Sequence, residues 1–98
     1  MTRTDELRDA RRYLADQVSF WAAESQRAAA FNSDLEPAFL AQSELAFARL
    51  SELTNFSDTY PCLDSVPTDL WLSFAKSMVD YIDAADEVFQ LGEDEGFA

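Results

Sequence analysis

No histidine occurs anywhere in this chain. That absence removes the common zinc sites, the histidine bases that activate serine and cysteine nucleophiles, and the two-histidine form of the di-iron helical bundle. Glycine is nearly as scarce. Gly92 and Gly96 are the only two, both near the C-terminus, so neither a phosphate-cradling loop nor a dinucleotide fingerprint can be built. The single cysteine, Cys62, excludes an internal disulfide, and without a histidine to act as its base it reads as a structural thiol. No apolar run approaches the roughly 18 residues of a membrane span. The charged start, with Arg3, Asp5, Glu6 and Arg8, lacks the apolar segment of a secretory signal, so the expected location is cytoplasmic.

Acid is what the chain has in excess. The formal net charge is −12, and its distribution is uneven. Residues 1–31 hold five acids and five arginines, residues 32–67 hold six acids against Arg49, and residues 68–98 hold eight against Lys76. The last two thirds therefore carry the whole imbalance. A field of this sign repels nucleic acid and anionic membranes and attracts basic protein surfaces. The expected partner is a basic protein surface, with no direct contact to nucleic acid or membrane.

Apolar periodicity assigns the chain to the all-α class. The expected fold is an antiparallel three-helix bundle with a long ordered loop between helices two and three, residues 1–92 forming one domain and 93–98 a short acidic tail. The first helix spans residues 4–31, with Thr4 as N-cap and Asn32 ending it in a left-handed conformation. Leu7, Ala10, Leu14, Val18, Trp21, Ser25 and Ala28 form its inner stripe. Its charges pair locally, Asp5 with Arg8, Asp9 with Arg12, and Arg12 with Asp16. Phe20 and Phe31 lie off the stripe and are read as widening the core.

Ser33 or Asp34 caps the second helix, Pro37 sits in its first turn, and it runs to about residue 54. Leu40, Ser43, Ala46, Phe47, Leu50 and Leu53 mark its inner side. Residues 55–67, interrupted by Pro61 and Pro67, form the long loop, and Phe56, Tyr60, Leu63 and Val66 close the open end of the bundle. The third helix spans residues 68–91, started by Ser65 or Thr68 and stopped by Gly92, with Phe97 beyond it as a late anchor. Its apolar stripe is Trp71, Ala75, Met78, Ile82, Ala85 and Phe89. Asp69, Ser73, Lys76, Asp80, Asp83 and Glu87 follow the same alternation on the opposite side.

The chemistry left open is that of carboxylates, either paired for acid and base work or caged around a hard cation. Asp80, Asp83 and Glu87 share a helix face but have no turning backbone beside them, so they read as a solvated row. No enzyme activity, cofactor or metal is expected. The acids nevertheless break a local rule. Helix C-termini favour Lys or Arg by about 0.3–1 kcal/mol per charge, yet Asp83, Asp86, Glu87, Glu93, Asp94 and Glu95 crowd that end. Steps of three and four along a helix place carboxylates roughly 5–6 Å apart, comparable with phosphate spacing along a strand.

These features point to a small acidic binding protein, an inhibitor that occupies the basic nucleic-acid-binding surface of its partner as a DNA mimic does. In size and charge the chain is similar to small phage-borne inhibitors of bacterial defence systems, anti-CRISPR proteins among them, and no motif carries that likeness. The candidate partner-binding residues are Asp58, Tyr60, Asp64, Asp69, Asp80, Asp83, Asp86 and Glu87. One alternative is an oligomeric helical module, a homodimer included, in which Phe20, Phe31, Phe39 and Phe56 continue the core into a neighbour. Another is a toxin-neutralising immunity-type protein, to whose binding segment Tyr60-Pro61 followed by acids is similar. A high-salt habitat would also explain one lysine against six arginines, but eight phenylalanines, two tryptophans and a neutral first helix oppose it.

Overall fold

Three antiparallel helices, α1 (Arg3–Ala30), α2 (Glu36–Thr59) and α3 (Thr68–Asp94), make up the computed structural model, which describes residues 2–60 and 62–94. A one-turn 3-10 helix at Leu63–Ser65 precedes α3. The fold is an all-α three-helix bundle, 47 Å long and 19 Å across in both other directions. Among the described residues no helix is long and apolar enough to cross a membrane. Pro61, Glu95 and the expected anchor Phe97 lie outside the described residues.

The helix ends and surface pairs follow from local chemistry, with four departures from expectation, the first of them in the N-caps of α1 and α2. Thr2, two residues earlier than the expected Thr4, caps α1, its hydroxyl accepting the Asp5 amide at 3.2 Å. Asn32 adopts the left-handed conformation at φ 54°. The Ser33 amide then bonds Ala28 O at 2.8 Å and the Asn32 amide bonds Ala29 O at 3.1 Å, the paired closure of a Schellman end. Neither Ser33 nor Asp34 caps α2 as expected: Leu35 stands at the N-cap without a side-chain cap, Ser33 Oγ accepts the Leu35 amide at 3.2 Å in the turn before it, and Pro37 lies in the first turn. The second departure is the far end of α2, which runs through Asn55, Ser57 and Asp58 to Thr59, so the connection to α3 is short where a long loop was expected. Phe56 holds that extra turn in place, its ring 5.8 Å from Phe74 and 6.2 Å from Trp71. Burial of an aromatic ring outweighs the weak turn preference of its neighbours. Tyr60 then turns extended (φ −113°, ψ 119°), as residues before a proline prefer.

The third departure is Gly92, which does not stop α3 but lies buried inside it, beside the cavity lined by Trp21, Phe39 and Phe89. A residue without a side chain leaves that space open. The fourth is in the surface charges of α1. Asp5 pairs with Arg8 at 3.3 Å as expected, but Asp9 also turns to Arg8 (3.8 Å) rather than to Arg12, and no Arg12–Asp16 pair forms among the described residues. Arg11 instead reaches Ser57 Oγ on α2 at 3.1 Å.

The interior repeats every seven residues. Leu7, Leu14, Trp21 and Ala28 on α1, Phe39, Ala46 and Leu53 on α2, and Phe74 and Tyr81 on α3 are all buried. That period keeps one face of each helix toward the others in a left-handed bundle. α1 and α2 lie closest together, and α3 stands further off. Small residues on the first pair explain the difference, because Ser25, Ala28, Ser43 and Ala46 admit close backbones, and Ser43 Oγ donates to Val18 O at 3.1 Å. Across to α3 the gap is filled by Trp71, Phe74 and Tyr81.

The inner stripe of α1 is as expected, but those of α2 and α3 are rotated. On α2, Phe39, Gln42, Ser43, Ala46 and Leu53 are buried, whereas Leu40 is exposed and Phe47 is 60 % exposed. On α3, Phe74, Tyr81 and Ala85 are buried with Trp71, Met78 and Val88 packed against them, whereas Ala75, Ile82 and Phe89 are exposed. Phe20 also lies largely outside the core, and Phe31 is 73 % exposed. Phe39 is buried and Phe56 half-buried, so the four phenylalanines assigned to an oligomer surface do not share one.

Two polar contacts set α3 against α1. Gln17 Oε1 accepts both the Trp21 indole N–H at 3.0 Å and the Tyr81 hydroxyl at 2.8 Å. At the other end Arg3 donates to Leu63 O (3.1 Å) and Val66 O (2.8 Å), and its guanidinium lies 4.9 Å from the centre of the Trp71 ring. The two phenylalanines of α2 separate this register from the expected one. Phe39→Ala should cost about 3–5 kcal/mol, whereas Phe47→Ala should stay within about 0.5 kcal/mol of the parent, as measured by urea unfolding.

Candidate functional site

The sequence-derived site residues fall into two groups at different heights on the bundle. Asp58, Asp64 and Asp69 are exposed around the α2–α3 connection, with Tyr60 half-buried beside them. Asp80, Asp83, Asp86 and Glu87 are exposed in the C-terminal half of α3. Asp69 and Glu87 are about 27 Å apart along the helix axis at 1.5 Å per residue, so the eight residues make no single cluster. None of the seven acids forms an ion pair among the described residues. Acids elsewhere do: Asp5, Asp9, Glu24 and Glu52 each lie within 4 Å of an arginine.

The length of α3 changes the meaning of this charge. Because the helix continues to Asp94, Asp83, Asp86 and Glu87 sit about two turns or more from its end, beyond the reach of the terminal dipole. Only Glu93 and Asp94 stand in the last turn, which contains no basic residue. Asp86 also departs from the acidic row. It faces α1 beside Tyr13, Phe20 and Phe89, at a cavity of about 210 Å³.

Next to the acids runs a surface that the sequence reading did not single out. Leu72, Ala75, Val79 and Ile82 are exposed along α3 at steps of three and four, and Phe89 follows seven residues on, with Leu72 and Val79 exposed by 60 % and 56 %. This second apolar row lies about 100° around the helix from the buried one. The expected stripe of residues 71, 75, 78, 82, 85 and 89 runs along the border between the two, which is where a single best-fit apolar face must fall when a helix is apolar over both. The signal was present in the unbroken repeat at 72, 75, 79 and 82. On the α1 side the row borders a groove whose other wall carries Ala10, Tyr13, Gln17 and Phe20, with cavities of about 220 and 250 Å³ near its two ends.

Tyr13 lines that groove, and Tyr81 lies buried against it, their rings edge to face at 6.4 Å. Burial pushes the Tyr81 hydroxyl up to about 12, with the neighbouring Tyr13 adding to the rise and the Trp21 contact opposing it. Tyr13 is raised by burial and by the Asp86 carboxylate. Among the described residues no group of three potential ligands could hold a metal ion.

The chain matches no protein-family model, no curated protein and no solved structure, so the functional reading rests on the chemistry of this surface. Both raised tyrosines favour the neutral phenol in the folded state, so the stability they contribute is complete below their ordinary value of 10.0. The part due to Tyr81 is lost as pH rises from there through about 12, and the part due to Tyr13 is lost in the same direction. Unfolding followed against pH should show this alkaline loss, and Tyr81→Phe should remove most of it.

Proposed function

We propose that the chain is a binding protein whose α3 carboxylates occupy a basic surface on a partner protein, of the kind that otherwise holds a nucleic-acid backbone. The observation carrying this reading is the exposure of Asp69, Asp80, Asp83 and Glu87 along one side of α3 with no ion-pair partner among the described residues. Maintaining uncompensated charge on a rigid helix does nothing for the bundle, since like charges along a face repel. It does supply a row of anions at fixed spacing. Such a row competes for Lys and Arg side chains arranged for phosphates, through the same release of counterions. Inhibition of a nucleic-acid-directed system follows, the role played by the small phage inhibitors, anti-CRISPR proteins among them, that are similar in size and charge. A partner of that type works inside the cell, which is where we place this chain.

A second reading, the oligomeric module, is favoured by one observation, the exposed apolar row of α3. The net charge of −12 on each copy opposes it. A toxin-neutralising role would instead use the acids around Tyr60, Asp58 and Asp64 at the opposite end from Glu87.

The test uses Asp80→Lys/Asp83→Lys/Glu87→Lys, which alters only exposed side chains. Proteins captured from host lysate on the parent chain should be released by added DNA or RNA and by raised salt. The triple variant should keep its helicity by circular dichroism and lose at least about tenfold in affinity for them, equivalent to about 1.4 kcal/mol. Undiminished capture by the variant, or partners that nucleic acid does not displace, contradicts the proposal.

A further inference from the structure

We propose that the groove between α1 and α3 seats an amphipathic helix of the partner, its apolar stripe on the exposed row of α3 and its Lys or Arg residues against the acids alongside. This inference rests on the basic-partner reading above and specifies the form of the partner. The row from Leu72 to Phe89 covers 17 residue steps, about 26 Å of helix. Its steps of three and four as far as Ile82, and of seven across Asp86 to Phe89, keep it on one side of the helix, the contour that a second helix packs against. The cavities of about 210 and 250 Å³ that flank Phe89 exceed the roughly 150 Å³ that accommodates a benzene ring. Each can take a bulky apolar side chain from the visiting helix.

Charge decides what kind of helix fits. Asp86 interrupts the apolar row between Ile82 and Phe89, and its carboxylate can be covered at tolerable cost only by a cation. Asp80, Asp83 and Glu87 line the outer edge, and Lys76 is the one basic residue on α3. A second copy of the chain laid on this face would set carboxylates against carboxylates. A helix with a Lys or Arg opposite Asp86 and more along one flank pairs with these carboxylates, which outnumber Lys76 on α3, and completes a four-helix bundle.

The experiment uses two synthetic peptides of about 18 residues with identical leucine and lysine composition. In one the leucines follow a heptad, and in the other the order is scrambled. Fluorescence anisotropy with the parent chain should show the heptad peptide binding at least about tenfold more tightly. Val79→Ser/Ile82→Ser should erase that advantage at unchanged helicity, leaving the weaker, salt-sensitive binding of the scrambled peptide intact. Should the double variant lose helicity, Leu72→Ser provides the same readout alone. Equal binding of the two peptides by the parent chain overturns the groove assignment while the acidic row stands as a site. Failure of both peptides to bind overturns the basic-partner reading as well. A dimer in light scattering that Val79→Ser/Ile82→Ser dissociates assigns the face to a second copy and overturns the proposal.

Discussion

The rotation of α3 depends on one carbonyl oxygen. Gln17 Oε1 receives the Trp21 indole at 3.0 Å and the Tyr81 hydroxyl at 2.8 Å, giving two large, buried side chains the partner that their polar ends require. Once Tyr81 points at Gln17, helix geometry sends Phe74 and Val88, seven residues to either side, into the same interface. Ile82 and Val79 are carried outward. Arg3 secures the other end, binding the carbonyls of Leu63 and Val66 and lying over Trp71. A helix apolar over two adjacent rows is thus held to one of them by polar contacts, because apolar burial alone is non-directional.

The consequence is a bundle with a finished side and an unfinished one. Between α1 and α2 small residues bring the backbones close and leave little to add. Between α1 and α3, larger side chains hold the helices apart, leaving an apolar groove bordered by carboxylates without counter-charges among the described residues. The apolar row supplies area and the acids supply orientation, a division of labour common in recognition sites. Neither feature contributes to the stability of the isolated chain.

Much of this is legible in the sequence. The inner stripe of α1 could be read residue by residue because its opposite face is charged. Asn32 announced its left-handed turn, and Thr68 the start of α3. The rest was hidden for identifiable reasons. α2 carries Phe39, Ala46 and Leu53 beside Leu40 and Phe47, and α3 carries Phe74 and Tyr81 beside Val79 and Ile82, so periodicity finds the axis of a broad apolar face without saying which half is covered. Ser43 and Ala46 were the better guide on α2, since small residues mark close helix contact. The extra turn at Asn55 to Thr59 depended on Phe56 meeting Trp71 and Phe74, a long-range contact that no local window contains. The acids lie on the surface, but α3 runs past its glycine to Asp94, so most of them stand clear of the helix end and are set apart by exposure and lack of ion pairs alone.

α3 buries the row of Phe74 and Ala85 and presents the row of Val79 and Ile82. Thiol accessibility along the helix measures this directly, using Phe74→Cys, Val79→Cys, Ile82→Cys and Ala85→Cys, each made in a Cys62→Ser background. This arrangement predicts rapid modification at 79 and 82, near the rate of an exposed thiol, and strong protection at 74 and 85. Protection at 82 with free reaction at 85, or protection at all four positions, would contradict it.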